Sequence, residues 1–325
     1  MKILVTGAAG HIGANLILKI ADNYEVLGID NFSKYYSPQY KEKRIKTLNI
    51  NKIILNVDIR DFPKTEKTIK AFNPDVIIHL AARPGVRAKW DQISEYAENN
   101  IQGFLNVIKI AKENKVKKFI YASSSSVYTS ENSVPFSEES TLYFPRSYYA
   151  LSKQTNEMAA KYFASDEFKV IGLRFFTVYG PWGRPDMAVL QFIGNALLGE
   201  KSYLKASLDN LRDFTYVDDV TNLIFEVINL TIKNSHEVFN VGGSTPRSLK
   251  ELINILHKHG VKPDFTTTLI SGEDIKSTNA STKKLNSFGL SIPSINLETG
   301  IEKTMEWVNN TDKNLLLNTI KGSKL

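Results

Sequence analysis

At 325 residues, with 42% apolar and 23% charged residues, the chain can bury a sizeable core in one large domain or two. It holds no cysteine, which excludes disulfides and thiolate metal sites, and its five histidines form no HxxxH or HExxH pair. The formal charge of +7 raises nucleic acid as a partner, but the lysines are scattered with no dense block beside aromatics, so a solvated basic surface or a pocket for an anionic small molecule is expected instead.

The N-terminus MKILVTGAAG reaches Gly7 before an apolar leader can form, so no signal peptide is expected. No apolar run reaches the ~18–20 residues of a membrane span. These features and the absent cysteine fit a cytoplasmic setting with no membrane partner.

Short apolar strands alternate with amphipathic helices through the first 180 residues. Lys2–Val5 is predicted as a strand, followed by a helix from about Gly10 to Ala21 with Ile12, Leu16, Ile17 and Ile20 on one face. Strands are expected at Glu25–Ile29, Ile53–Val57, Asp75–His79, Lys118–Ala122 and Lys169–Leu173. Long helices are expected over 94–114 and 148–164. This alternation argues α/β: a Rossmann-like, doubly wound parallel sheet spanning 1–180. After Pro181 the rhythm breaks. Helices at 187–199, Val217–Asn229 and Ser248–His259, with Gly-, Ser- and Thr-rich loops, suggest a smaller mixed α/β substrate lobe over 181–310, with some chain exchange. Residues 311–325 read as a frayed polar tail.

The first strand runs into Gly7, Gly10 and Gly13, spaced G-x-x-G-x-x-G, and then into a helix. Glycines there let the backbone approach a pyrophosphate, and the helix N-terminus offers N–H groups to it. The second strand ends in Asp30, which can accept both ribose hydroxyls and would repel a 2′-phosphate, favouring NAD over NADP. The alternative is a turn or N-cap role. Asp58 and Ile59, after the third strand, could flank the adenine.

The segment from Tyr121 to Lys153 carries the chemistry. A strand ends in Ser123–Ser126, and further on Tyr149 and Lys153 stand four apart on a predicted helix, roughly 5–6 Å between Cβ atoms. A lysine that close should lower the phenol pKa from about 10 toward the working pH. A serine hydroxyl can share the proton, giving a base suited to a sugar or alcohol hydroxyl.

With HLAA at 79–82, the glycine spacing, serine run and YxxxK resemble extended short-chain dehydrogenases/reductases acting on nucleotide sugars, over about residues 1–310. NFSKYYS at 31–37, GVR at 85–87, SSSSVY at 123–128, RFFTVYGPWGRPDMA at 174–188 and RDFTYVDD at 212–219 are most similar to the UDP-glucuronate 4-epimerase branch. The resemblance implies Ser124, Tyr149 and Lys153 as the catalytic set. It implies an NAD site formed by Gly7, Gly10, His11, Ile12, Gly13, Asp30, Asn31, Asp58, Ile59, Leu80, Ala81, Ala82 and Asn100, with Tyr149 and Lys153. It implies Thr177 and Arg184 at the hexuronate and its carboxylate, Arg212 at the diphosphate, Ser125 and Ser126 at the sugar, and Arg87 as a substrate or phosphate contact. Arg184 could instead stabilise its Gly-Pro loop, and Arg212 could form a surface ion pair.

Related dehydratases and decarboxylases carry acids after the catalytic hydroxyl. Ser125 and Ser126 cannot shuttle protons near neutral pH, so elimination is disfavoured. A homodimer through the 94–114 and 148–164 helices is implied by the resemblance alone. The base stays open, because Thr129, KSYLKASLDNL after Gly199 and Ser281 depart from the family pattern. The other readings are a C4 epimerase or dehydrogenase on another nucleotide sugar, or a non-catalytic NAD-binding sensor or scaffold.

Overall fold

The computed structural model describes residues 1–86, 90–204, 207–267 and 275–323. In chain order the first half comprises β1 (Lys2–Thr6), α1 (His11–Ile20), β2 (Glu25–Asp30), α2 (Pro38–Thr47), β3 (Ile54–Asn56), α3 (Phe62–Phe72), β4 (Val76–His79), α4 (Ile93–Tyr96), α5 (Gly103–Glu113), β5 (Lys118–Ser124), α6 (Tyr148–Phe163) and β6 (Lys169–Phe175). The second comprises β7 (Thr177–Tyr179), α7 (Ala188–Leu198), β8 (Ser202–Leu204), β9 (Leu211–Arg212), β10 (Phe214–Tyr216), α8 (Val217–Asn229), β11 (His236–Val241), β12 (Arg247–Ser248), α9 (Leu249–Lys258), β13 (Phe265–Thr267), α10 (Lys283–Ser287), α11 (Leu297–Asn310) and α12 (Lys313–Gly322).

Seven strands form one parallel sheet in the order β11-β6-β5-β4-β1-β2-β3. The direction of strand addition reverses between β1 and β4, which opens a crevice at their carboxyl ends. β4 (VIIH) is buried throughout and β1 and β6 nearly so, as expected of central strands covered on both faces. Leu16, Ile17 and Ile20 of α1 pack with Leu223, Ile224 and Val227 of α8 on one face. Ile69 of α3 and Phe104, Val107 and Ile108 of α5 cover the other. Each large aliphatic buried this way contributes about 1.5–3 kcal/mol. A separate apolar cluster joins α7, α9, α11 and α12 to Tyr40 of α2.

Three features of the structure refine the sequence reading. The helix expected over 94–114 is present as one run from Ile93 to Glu113, with a π-helical turn, Ala97–Gln102, inside it. Such turns often mark functional sites, and here the turn carries Asn100, whose amide bonds away from the helix. The seventh strand, β11, comes from beyond residue 180. The frayed tail is also corrected. Residues 313–322 form α12, capped by Asp312, with Leu316 and Ile320 buried against α7. Its charged residues and asparagines face outward, while Thr319 is buried with Leu316 and Ile320 and donates to Leu315 O at 2.7 Å.

Candidate active site

β1 ends in a turn that demands glycine. Gly7 adopts φ +69°, and a Cβ there would lie 2.7 Å from the Ala81 nitrogen. A Cβ on Gly13 would collide with the Gly7 carbonyl oxygen. Gly10 caps α1 with no side-chain hydrogen bond, so the helix start offers its first N–H groups to an anion. Asp30, at the end of β2, accepts from Ala9 N at 3.0 Å and Phe32 N at 2.8 Å. Its carboxylate is thereby fixed beside the turn, with lone pairs left for ribose hydroxyls. Leu80–Ala82 follow β4, and Thr6 ties them to β1 through its carbonyl and its hydroxyl. This combination of a cradle that side chains would fill, uncapped N–H groups and a fixed carboxylate fits a dinucleotide.

The remaining cofactor candidates are more constrained. Asp58 accepts from Arg60 and Asn31 at 2.7–3.1 Å. Burial raises its pKa, but those partners outweigh it and bring the group to about 2. Ile59 is buried and packs on Gly103. His11 is buried at the start of α1 and is held neutral by burial and by Arg44, with its pKa near 3. Asn100 accepts from Arg83 N at 2.7 Å and donates to Arg83 O at 2.9 Å and to Ser152 Oγ at 3.1 Å. It therefore stitches the loop after β4 to α6.

α6 begins at Tyr148, and Ser147 caps it by accepting from Ala150 N at 3.1 Å. Tyr149 is in its first turn, half-buried, within electrostatic reach of Ser124 at the end of β5 and edge-on to Tyr96 at 6.4 Å. Lys153 is buried, its Nζ 5.7 Å from the Tyr149 ring centre and donating to Ala122 O at 2.8 Å. The expected depression of the phenol does not appear. Burial is the largest influence on Tyr149 and raises it, while Arg184 and Ser124 pull in the opposite direction without prevailing. Lys153 is itself pushed down to about 8 by burial, with Glu157 opposing. Desolvation acts on both partners at once, which sequence spacing does not reveal.

Ser125 and Ser126 form the short 3-10 turn after β5, and the Ser126 hydroxyl is buried without a partner. A buried, unbonded hydroxyl two residues beyond Ser124 is an acceptor and donor in waiting. Thr177 opens β7, pairs in register with Phe214, and donates its N–H to Asp213 O at 3.0 Å. Arg212 lies one residue before, its Nη1 donating to Leu211 O at 2.8 Å. Asp213 points inward, accepting from Gly243, Ser244 and Ala280 N–H groups at 2.9–3.0 Å. Arg184 acts electrostatically on Tyr149, but its Nη2 and Nε grip Asp186 at 2.6 and 3.1 Å. Arg87 lies outside the described residues.

Several groups around the site were not singled out from sequence. Tyr35 donates to Asp186 Oδ2 at 3.0 Å, completing a triad with Arg184. Arg83 sits over Tyr35 and Tyr96 and pairs with Glu95. Glu157, one turn beyond Lys153, accepts from Ser123 at 2.5 Å and from Arg174 at 2.7–2.8 Å. Asp186 lies inside the RPDMA string, and Glu157 extends the four-residue spacing of Tyr149 and Lys153, so both carried a sequence signal.

The profile of the NAD dependent epimerase/dehydratase family matches residues 3–242. The chain belongs to that family. It is 38% identical over 313 residues to an uncharacterised protein of Methanocaldococcus jannaschii, covering 94% of this chain and 95% of that one. It is 34% identical to UDP-glucuronate 4-epimerase 1 of Arabidopsis thaliana, covering 94% of this chain and 76% of the relative. The crystal structure of the UDP-glucuronic acid 4-epimerase of Bacillus cereus, in complex with UDP-glucuronic acid and NAD, superposes with a TM-score of 0.85 at 31% identity, covering 95% and 99% of the two chains. The protein is thus an NAD-dependent enzyme of the nucleotide-sugar epimerase class, with an extended short-chain dehydrogenase/reductase fold. Among the described residues no helix is long and apolar enough to cross a membrane.

Proposed function

We propose that the protein epimerises UDP-glucuronate to UDP-galacturonate at C4. The observation that carries this reading is the Ser124–Tyr149–Lys153 cluster at the carboxyl end of β5, followed by Ser125 and Ser126 and facing Arg184. The cluster can move one proton, no acid stands where elimination would need one, and an arginine lies within electrostatic reach.

Tyr149 takes the proton of the 4-hydroxyl, and Ser124 hydrogen-bonds the same phenol and shares it. Bound NAD supplies the reversible hydride exchange with C4 and a positive ring that, with the Lys153 ammonium, counters the burial of the phenol. Arg212 holds the diphosphate while the 4-keto sugar turns over. Arg184, Thr177 and the Ser125 and Ser126 hydroxyls hold the carboxylate. A carboxylate β to a ketone is lost when its bond aligns with the carbonyl π system, so a fixed carboxylate protects against decarboxylation. Tyr149 then returns the proton on the inverted centre.

A second reading, a C4 epimerase or dehydrogenase acting on a neutral nucleotide sugar, is favoured by one observation: Asp186 already engages Arg184. Incubation with UDP-glucuronate, UDP-glucose and UDP-N-acetylhexosamines, with products resolved by NMR, separates the two. Galacturonate without pentose supports the first reading. Turnover of neutral sugars alone supports the second, and accumulating absorbance at 340 nm indicates a net oxidase.

The reading includes a cytoplasmic homodimer. Leu151, Met158 and Tyr162 line one outward stripe of α6 and are 39%, 75% and 84% exposed, an apolar face suited to a second copy.

A further inference from the structure

Arg44 of α2 is fully buried, with a relative exposure of 0%. Buried cations are normally neutralised by a carboxylate. Among the described residues Arg44 has none. Its Nη1 donates to Ala9 O and, at 3.0 Å, to Tyr36 Oη; its Nη2 donates to Trp182 O at 2.6 Å; its Nε is buried without a partner. The guanidinium lies over the rings of Tyr36 and Tyr40, at 5.8 and 5.0 Å. Lys41, on the same helix, has Asp30 near it as an opposing charge. Arg44 has only carbonyls, a phenol and aromatic faces.

Its three acceptors come from three separate places. Ala9 belongs to the glycine turn, Tyr36 to the loop after β2, and Trp182 to the loop that carries Arg184. Trp182 adopts φ +59°, a conformation that a bulky residue holds only when its surroundings enforce it. Trp182 is packed between Tyr40 at 5.4 Å and Trp307 at 5.2 Å. His11, at the start of α1, lies within electrostatic reach of Arg44 and of the Pro181 backbone. The turn that faces the phosphates and the loop that faces the sugar therefore share one buried, unneutralised cation.

We propose that Arg44 is a positioning residue that couples occupancy of the dinucleotide turn to the setting of the 180–187 loop, its unbalanced charge answered by phosphate groups seated on the turn. This rests on the dinucleotide site and not on which sugar is turned over. An anion above Ala9 lowers the cost of the buried guanidinium and tightens its hold on the Ala9 and Trp182 carbonyls. Arg184, two residues beyond Trp182, is thereby held in place.

The test uses the full chain stripped of cofactor, with NAD itself as the probe. Calorimetry measures NAD affinity, and hydrogen exchange reads the backbone amides of 7–13 and 180–187 with and without NAD. In the wild type NAD should protect both segments. Arg44→Met should weaken NAD by about tenfold or more, and at saturating NAD should keep protection of 7–13 while losing it at 180–187. Arg44→Lys keeps the charge but cannot reach two carbonyls with a planar fork. It should retain NAD affinity within a few-fold and still lose protection at 180–187, which covers the case in which the methionine variant fails to fold. Equal protection of 180–187 in wild type and variants, or none in the wild type, would overturn the proposal.

Discussion

Arg184 holds Asp186 with two nitrogens, Nη2 to Oδ2 at 2.6 Å and Nε to Oδ1 at 3.1 Å, and Tyr35 donates to the same Oδ2 at 3.0 Å. The arginine chosen from sequence as a carboxylate fork thus already has a carboxylate beside it, which uses the Nε side of the guanidinium and not Nη1. A hexuronate could be gripped from the remaining side. Arg184→Ala should raise the KM for UDP-glucuronate by roughly 10- to 100-fold, the scale of a charge-assisted bidentate contact, and leave UDP-glucose little changed. Steady-state kinetics on both sugars checks this, and equal loss on both would reject the carboxylate role.

Tyr149→Phe removes the proton acceptor and little volume. Turnover should fall by on the order of 10²–10⁴, while NAD stays bound because the glycine turn and Asp30 are untouched. Activity near the wild-type level would rule out the phenol as the base.

Lys153 is buried with its pKa pushed down to about 8. A lysine whose folded pKa lies below its unfolded value near 10.5 weakens the fold while it is charged, and the penalty is relieved as pH rises between those two values. Lys153→Met should therefore abolish activity yet be more stable than wild type at pH 7, by up to roughly 3 kcal/mol for a shift of that size. The gap should shrink between about pH 8 and 10.5. Thermal melts across that range test the sign, and a variant less stable at pH 7 would contradict it. Wild-type activity should fall above about pH 8 as the same ammonium is lost.

How much of this was legible in the sequence differs by element. β1, α1, the glycine turn, β5 and the start of α6 were readable because each is local: an apolar run, a glycine spacing, a four-residue step on a helix. α2 was not, because its PQYKEKRIKT sequence looks like a solvated helix, and nothing local says that Arg44 is only 0% exposed and Lys41 5%. The π-helical turn at Asn100 was missed for a related reason. Its Asn100 side chain bonds Arg83 and Ser152, partners 17 and 52 residues away, which no local pattern reports. The direction of the Tyr149 shift was misread because spacing reports the neighbouring charge and not the desolvation. The carboxylate of Asp186 stood in plain view within RPDMA, but only the structure turns it onto Arg184.

Glu157 and Arg174 form a buried pair at 2.7 Å that also holds Ser123 and Tyr128. Glu157→Gln leaves the guanidinium without its counter-charge and should cost about 3–5 kcal/mol. The double variant Glu157→Gln/Arg174→Met should recover much of that loss, because no charge is then stranded. Chemical denaturation of the two variants checks this, and a double variant weaker than the single one would contradict it.

The central claim is that C4 loses and regains the same hydride inside the pocket while Tyr149 moves the proton. UDP-glucuronate carrying deuterium at C4 tests it most directly, with NMR of the product at that carbon. UDP-galacturonate that retains the deuterium at C4, with no pentose formed, is the expected result. Galacturonate without the label, release of a pentose, or no C4 inversion at saturating NAD would contradict it.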